Sequence, residues 1–428
     1  MRKHDSLLRA SLIIFFLFQA AHVWGGTSTN SPIGWGGRSV GMGGTGVATS
    51  EDVAGMAYNP ATLTEVERDR FDLGIGILWP RRSFSNDWNA DVPSKKILYP
   101  VPQTGYVYKL PDSDASMGIG VFFTYGAGTE YKFRTPWFPD GAKNTHSTLG
   151  VIKLTPTIAY KVTPSLSVGA TLDINYGMVK MGTPFGPAYL DVDKAEGWGY
   201  GFQVGLLYKY SDNLKFGLAY TSESNLEDLK ADNAYLEISP LAPGGPAVWR
   251  YKKAIFVDLQ QPSTLAFGIG YQATKKLLFA LDVKWQNYSD VLNKLELKLS
   301  DGTGPDQTMA IPTDWSDAYV GTFGLEYRLT ERFSARAGYN YDSNTVNSSR
   351  LLPIVPDTGA AHTLTLGLGY RWDNYEADFA FANNFKHGKR TDKSQFPIPA
   401  SNGPGNEYDN SYLDYSCTYW VLTISKLF

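Results

Sequence analysis

The chain has 428 residues, 43% of them hydrophobic and 14% aromatic, with 43 Gly, 27 Tyr and a formal net charge of -3. That length allows two ordinary domains or one large barrel, and the charge balance excludes the concentrated basic face that nucleic-acid binding needs. Beyond the first two dozen residues no run of about 18 apolar residues occurs, so a bundle of membrane-spanning helices is excluded and twisted strands with aromatic belts are favoured.

The chain opens on a secretory signal. Arg2, Lys3 and Arg9 precede an apolar stretch from Leu7 to Ala21, and small residues follow at Ala20, Ala21, Gly25 and Gly26. Cleavage is expected within 21–27, with Val23-Trp24-Gly25 a suitable site and residues 1–25 removed. Cys417 is the only cysteine, so a disulfide within the chain and a cysteine metal site are both excluded. No metal and no cofactor are expected.

Residues 26–67 do not pattern as strand. They are crowded with Gly, Ser and Thr, and about 40 residues is long for a tail. Either disorder or a plug inside a barrel accounts for them. From 68 to 428 the pattern has period 2. Phe71, Leu73, Ile75, Ile77 and Trp79 alternate with smaller residues, as do Phe202, Val204, Leu206 and Tyr208. Leu265, Phe267, Ile269 and Tyr271 alternate with Ala and Gly, and Phe323, Leu325, Tyr327 and Leu329 repeat the pattern. Leu364, Leu366, Leu368, Tyr370 and Trp372 do so near the end. One face is apolar and the other small or polar, which a barrel in lipid and a sandwich would both show.

Connection lengths separate these two. Strand starts are predicted near 69, 101, 115, 150, 165, 197, 213, 255, 276, 313, 333, 361, 374 and 413. Tight turns at Pro111–Asp114, Thr163-Pro164, Ser211-Asp212, Thr274-Lys275, Thr330-Glu331 and Asp373-Asn374 alternate with links of roughly 15 to 30 residues. Short turns at one end and long loops at the other mark an outer-membrane barrel. The fold predicted is all-β: a transmembrane antiparallel β-barrel of about 14 strands with an N-terminal hatch in its lumen. The last strand closes on Phe428, and Lys426 interrupts its apolar face where a long stem lets the amine reach water.

The ordered set of motifs resembles the FadL/TodX family of outer-membrane transporters for fatty acids and aromatic hydrocarbons, over nearly the whole mature chain. Gly41-Met42-Gly43-Gly44-Thr45-Gly46 leads through Asp52 and Ala54 to Asn59-Pro60-Ala61, similar to the family's Asn-Pro-Ala element. Gly197-Trp198-Gly199-Tyr200-Gly201 with Gly205–Tyr208 resembles its sixth strand, followed by Leu218–Glu223. Arg336-Ala337-Gly338-Tyr339 and Pro353–Asp357 resemble a later strand and loop. The resemblance implies a hatch carrying Asn59, Pro60 and Ala61, and a third strand that kinks inward. That kink falls at Tyr125, Gly126, Ala127 and Gly128, after Gly118–Thr124. The link predicted over 182–196 is shorter than in the fatty-acid members.

Other motifs are weaker. Gly41–Gly46 fits G-x-G-x-x-G without the strand and helix a dinucleotide site requires. Asp357-Thr358-Gly359 has no paired triplet. His146 beside Ser147 is adjacency, not the geometry of a nucleophile and base. Lys132, Arg134 and Lys143 in one loop, and Arg250, Lys252 and Lys253 in another, are a carboxylate headgroup site, a binding site for lipopolysaccharide phosphates, or ordinary solvated loop cations. The expected activity is passive uptake of a hydrophobic small molecule by a monomer that is not an enzyme, through mostly apolar sites and out through the barrel wall. The alternative is a hydrophilic pore or a partner-binding barrel.

Overall fold

The computed structural model describes residues 31–354, 361–396 and 406–428. The predicted signal segment 1–25, residues 26–30 and Asp357-Thr358-Gly359 lie outside them. Fourteen strands form one closed antiparallel barrel. They are β1 (Arg70–Asn86), β2 (Tyr99–Lys109), β3 (Ala115–Phe133), β4 in two pieces (Lys143–Leu154 and Thr157–Thr163), β5 (Leu166–Phe185), β6 (Ala188–Ser211) and β7 (Leu214–Thr221). Then follow β8 (Thr264–Thr274), β9 (Leu277–Gln286), β10 (Ala318–Arg328), β11 (Phe333–Asp342), β12 (Ala361–Trp372), β13 (Tyr375–Thr391) and β14 (Ser411–Leu427). Each pairs with its sequence neighbours, and β1 pairs with β14 from Arg70–Leu427 to Ser85–Tyr412, which closes the wall. Closure leaves no free terminal strand with an edge to satisfy in lipid.

Alternation fixes which face looks out. On β12, Leu364, Leu366 and Leu368 are 50%, 63% and 56% exposed, while Thr363 and Thr365 between them are 1% and 2% exposed. Polar side chains therefore face the interior and leucines face outward, the reverse of a soluble core. Lys426 lies over the rings of Tyr375 and Phe428 at the short-turn end, its amine 5.8 and 4.9 Å from their centroids, consistent with a stem that reaches past the apolar belt.

Two predicted connections differ. The stretch 182–196 is strand, not loop: β5 and β6 run 20 and 24 residues and close at Gly186-Pro187. The strand predicted near 255 is Lys253–Val257, part of a second tier of pairing built by the long connections, and the barrel strand β8 begins at Thr264. In that tier Leu229–Ala231 and Ala234–Ile238 pair with the upper part of β6, Ala234–Ile238 pairs with Ala247–Tyr251, and Lys294–Ser300 pairs with Gln307–Pro312. Alternating apolar residues above the membrane have the same period as those within it, so periodicity alone cannot separate the tiers.

Candidate functional site

Residues 31–66 form α1 (Gly37–Gly41), α2 (Gly55–Tyr58) and a 3-10 turn (Pro60–Glu65). These helices are too short to hold themselves in water. They are held instead by inward side chains from around the barrel. The Gly36 amide donates to Gln103 of β2 (2.9 Å) and the Gly37 amide to Thr423 of β14 (3.0 Å). The Gly43 amide donates to Thr365 of β12 (2.9 Å), and the Gly46 and Val47 amides both donate to Asp282 of β9 (2.8 and 3.1 Å). Arg38 pairs with Glu326 of β10 (3.0 Å), which Arg336 of β11 also holds.

The wall must be smooth where the segment touches it. A Cβ on Gly338 of β11 would stand 2.1 Å from the Gly43 nitrogen, and one on Gly205 of β6 would stand 1.9 Å from Asn59 Oδ1. Asn59 is fully buried. Its Nδ2 donates to the carbonyls of Val47 (2.8 Å) and Leu206 (2.9 Å), and its Oδ1 accepts from the Ala61 amide (3.1 Å). Pro60 starts the following turn, where its missing N–H costs nothing. Asn59 thus ties two stretches of the segment to β6. None of these three bonds goes to β3.

The wall changes character at β3. Its ladder with β2 runs from Lys109–Ser116 to Gln103–Phe122 and stops there. Beyond Phe122, β3 pairs with β4 alone, with an irregularity between Phe123 and Tyr125, while Tyr99–Pro102 of β2 pairs with β1. Pro100 and Pro102 lack the N–H that a ladder on that side would use. Met117 and Ile119 on β3 are 47% and 41% exposed, yet Val121 and Phe123, next on the same alternating face, are 6% and 3% exposed. The strand has turned inward and carries its lipid-facing side chains into an apolar cluster with Tyr99, Val101 and Ile33. The Phe123 carbonyl accepts from the indole Nε1 of Trp35 at 2.9 Å.

The inward turn therefore begins at Val121–Phe123, slightly before the predicted Tyr125–Gly128. Gly126 and Gly128 accommodate it. A Cβ on Gly126 would stand 2.2 Å from the Phe123 ring, and one on Gly128 would stand 2.9 Å from the Tyr99 hydroxyl. Trp35, Tyr99 and Phe123 were missed by sequence reasoning. The indole-to-carbonyl bond spans 88 positions, and no local pattern signals it. The proline pair in β2 was the available cue.

A cavity of about 120 Å³ lies behind this bend, between Trp35 and Tyr58 on one side and Thr124 and Tyr125 on the other. Its wall is mixed rather than mostly apolar as expected: Lys153, paired with Asp173 at 2.8 Å, and Lys284, 5.0 Å from the Tyr58 ring, both contribute. The apolar material lies toward the long loops, where Tyr125, Tyr131 and Phe133 pack with Leu226, Leu229, Phe256 and Trp315. Tyr125 joins that cluster, its ring 6.5 Å from that of Tyr288, to the cavity.

Four of the six candidate headgroup cations, Lys132, Arg134, Arg250 and Lys252, face away from this cluster. Lys132 and Arg134 are exposed and alternate with buried Tyr131 and Phe133; Arg250 and Lys252 flank buried Tyr251. Lys143 is paired with Glu237 at 2.7 Å. Ser147 donates its hydroxyl to the Ile354 carbonyl at 2.8 Å, so no nucleophile–base contact with His146 is made there. In Gly41–Gly46, Gly43 and Gly44 take φ of 74° and 87° just after α1, a turn pressed on the wall and not the opening of a helix.

A family model described as "Outer membrane protein transport protein (OMPP1/FadL/TodX)" matches residues 28–411. The "Long-chain fatty acid transport protein" of Escherichia coli is 23% identical over 396 residues, covering 80% of this chain and 83% of that one. Among solved structures, the Pseudomonas putida toluene transporter TodX superposes with a TM-score of 0.78 at 22% identity, covering 92% of this chain and 99% of that one. A Pseudomonas aeruginosa FadL homologue does so with a TM-score of 0.74 at 16% identity, covering 95% and 100%. With the match spanning most of its length and the barrel closed, this chain belongs to the OMPP1/FadL/TodX family of outer-membrane transport proteins.

Proposed function

We propose that the barrel passes a hydrophobic small molecule across the outer membrane without an energy source, and that residues 31–66 act as its hatch. The molecule enters the apolar cluster under the long loops and reaches the cavity at Tyr125. It leaves sideways into the membrane between β2 and β3. The observation that carries this reading is the burial of Val121 and Phe123 at lipid-facing positions, where the β2–β3 ladder ends. In a bilayer, backbone that leaves its ladder needs a protein partner or a cavity, and here the Phe123 carbonyl has Trp35. Small apolar and aromatic side chains filling the gap can move aside for an apolar solute at little electrostatic cost, whereas an ion passing the same route would be stripped of water.

Relatives named for long-chain fatty acids and for toluene set the two substrate classes to test. Cells expressing the barrel should take up a labelled long-chain fatty acid or labelled toluene faster than cells without it. The purified barrel should give low conductance in a planar bilayer. Large ohmic conductance with no hydrophobic uptake would establish a hydrophilic pore instead.

A further inference from the structure

We propose that the outer wall also carries a binding site for the phosphate group of an outer-leaflet lipid, in a concavity shared by β1, β13 and β14 near Arg81 and Lys386. The concavity measures about 460 Å³, and Arg81, Ser83, Asn383, Lys386, Asp414 and Ser416 help line it.

Its height in the membrane follows from the strand. At ~3.3 Å per residue and a tilt of ~40°, the run from Phe71 to Arg81 climbs roughly 25 Å, about the height of the apolar band. Phe71 is at the short-turn edge. Trp79 and Trp420 stack at 6.2 Å and Phe381 packs on Trp420 at 5.9 Å, forming an aromatic belt just below Arg81. The concavity thus opens at the level of the outer-leaflet headgroups.

The wall is shaped there. The β13–β14 register shifts between Asn384 and His387, leaving Phe385 and Lys386 outside the ladder and both exposed. Arg81 holds its guanidinium 5.2 Å from the Trp79 ring centroid. Lys386 is fixed by Asp414 at 2.8 Å, and Asp414 also accepts from the Ser83 amide (3.1 Å) and hydroxyl (2.9 Å). The Ser83 hydroxyl also contacts Asp91. The one Ser83 hydroxyl proton can serve only one of the two carboxylates, and Asp414 is in either case held by Lys386 and the Ser83 amide. Arg81 makes no ion pair among the described residues, and its planar fork suits phosphate oxygens. The Trp79–Trp420 pair and Phe385 give the first acyl carbons an apolar bed. Nothing in the uptake route uses these residues.

The test uses the full barrel in nonionic detergent, with native mass spectrometry as the readout and heat-modifiable migration as the check on folding. Diphosphorylated lipid A, its dephosphorylated form and inorganic phosphate are each titrated. The proteins are the parent, Arg81→Gln, Arg81→Gln with Lys386→Gln, and Lys275→Gln at the opposite end of the barrel. Losing a charge-assisted contact should weaken binding of diphosphorylated lipid A about tenfold in the single variant and more in the double. Lys275→Gln should leave it unchanged. The dephosphorylated lipid should bind the parent no better than it binds the double variant, and inorganic phosphate at equal concentration should not displace the lipid. Unchanged binding in the double variant, or equal binding of the dephosphorylated lipid, overturns the site. Displacement by equal inorganic phosphate overturns the assignment to a lipid.

Discussion

Trp35, in the N-terminal segment, donates its indole N–H to the carbonyl of Phe123 at the residue where β3 parts from β2. Trp35 also packs against Tyr58, ring centroids 5.0 Å apart, and donates its own backbone amide to the Tyr58 hydroxyl oxygen at 3.1 Å. The segment and the point where β3 leaves β2 are therefore joined through one side chain.

Trp35→Phe keeps most of the apolar contact and removes the donor. It leaves a buried carbonyl unsatisfied, a cost of about 1–3 kcal/mol. Hydrogen exchange should quicken at residues flanking Phe123 and in the segment around Trp35, with the barrel still heat-modifiable. Protection unchanged at both places would show that the bond does not couple them.

Asn59→Ala should act elsewhere. Its three bonds reach Val47, Leu206 and Ala61, so the change loosens the segment from β6 and strands two buried carbonyls. Roughly 1–3 kcal/mol of local stability should be lost for each carbonyl left bare. The loss should appear as faster proteolysis between residues 47 and 61 without unfolding of the wall. Asn59→Asp should not rescue it, because a carboxylate cannot donate.

Gly126→Ala places a methyl where the Phe123 ring now lies, 2.2 Å from its nearest carbon. Overpacking of this kind typically costs about 1–3 kcal/mol. Phe123 must shift within the gap, so uptake should change by severalfold while insertion is retained. The paired variant Gly126→Ala/Phe123→Leu should return the rate toward that of the parent by freeing the space. Parent-like uptake in Gly126→Ala would mean that Phe123 does not limit passage.

The outer loops should respond to pH through Glu407. Its Oε1 accepts from the Gly186 amide at 2.6 Å, and burial pushes its carboxyl up from the ordinary 4.5 to about 7. The folded loops hold a proton that the opened loops release, so their packing is strongest below about pH 4.5 and weakens as pH rises to about 7. Exchange at the Gly186 amide, corrected for its intrinsic rate, should be faster near pH 8 than near pH 5. Glu407→Gln should flatten that dependence.

The barrel was legible because lipid imposes a chemical period. Leu364, Leu366 and Leu368 alternate with small or polar residues as a sandwich strand would too, so the alternation of short turns with long links decided the matter, and the turns at Asp112 and Asp373, both at positive φ, stand where the pattern breaks. Asn59 was legible as part of the Asn-Pro-Ala element that the resemblance carries, but its partners Val47 and Leu206 were not. Alternation tells which face a side chain takes and is silent on what lies across the lumen. The same limit hid Trp35 and misplaced the start of β8, since Lys253–Val257 alternates as a barrel strand would. An inward turn of β3 at 125–128 was implied by the family resemblance. The structure shows that Gly126 and Gly128 make room for Phe123 and Tyr99, and that the departure itself begins where prolines in β2 leave the ladder without donors.

The central claim is that substrate leaves between β2 and β3, and closing that gap tests it most directly. With Cys417 replaced by Ser, Tyr99→Cys and Gly128→Cys face each other across the gap, since the Tyr99 ring already spans to Gly128. A short bifunctional thiol reagent with a reducible linker would staple the strands. Uptake of whichever labelled compound the unstapled barrel carries should fall to the level of cells lacking the protein and return on reduction. A stapled barrel that carries the compound at the unstapled rate would contradict lateral exit.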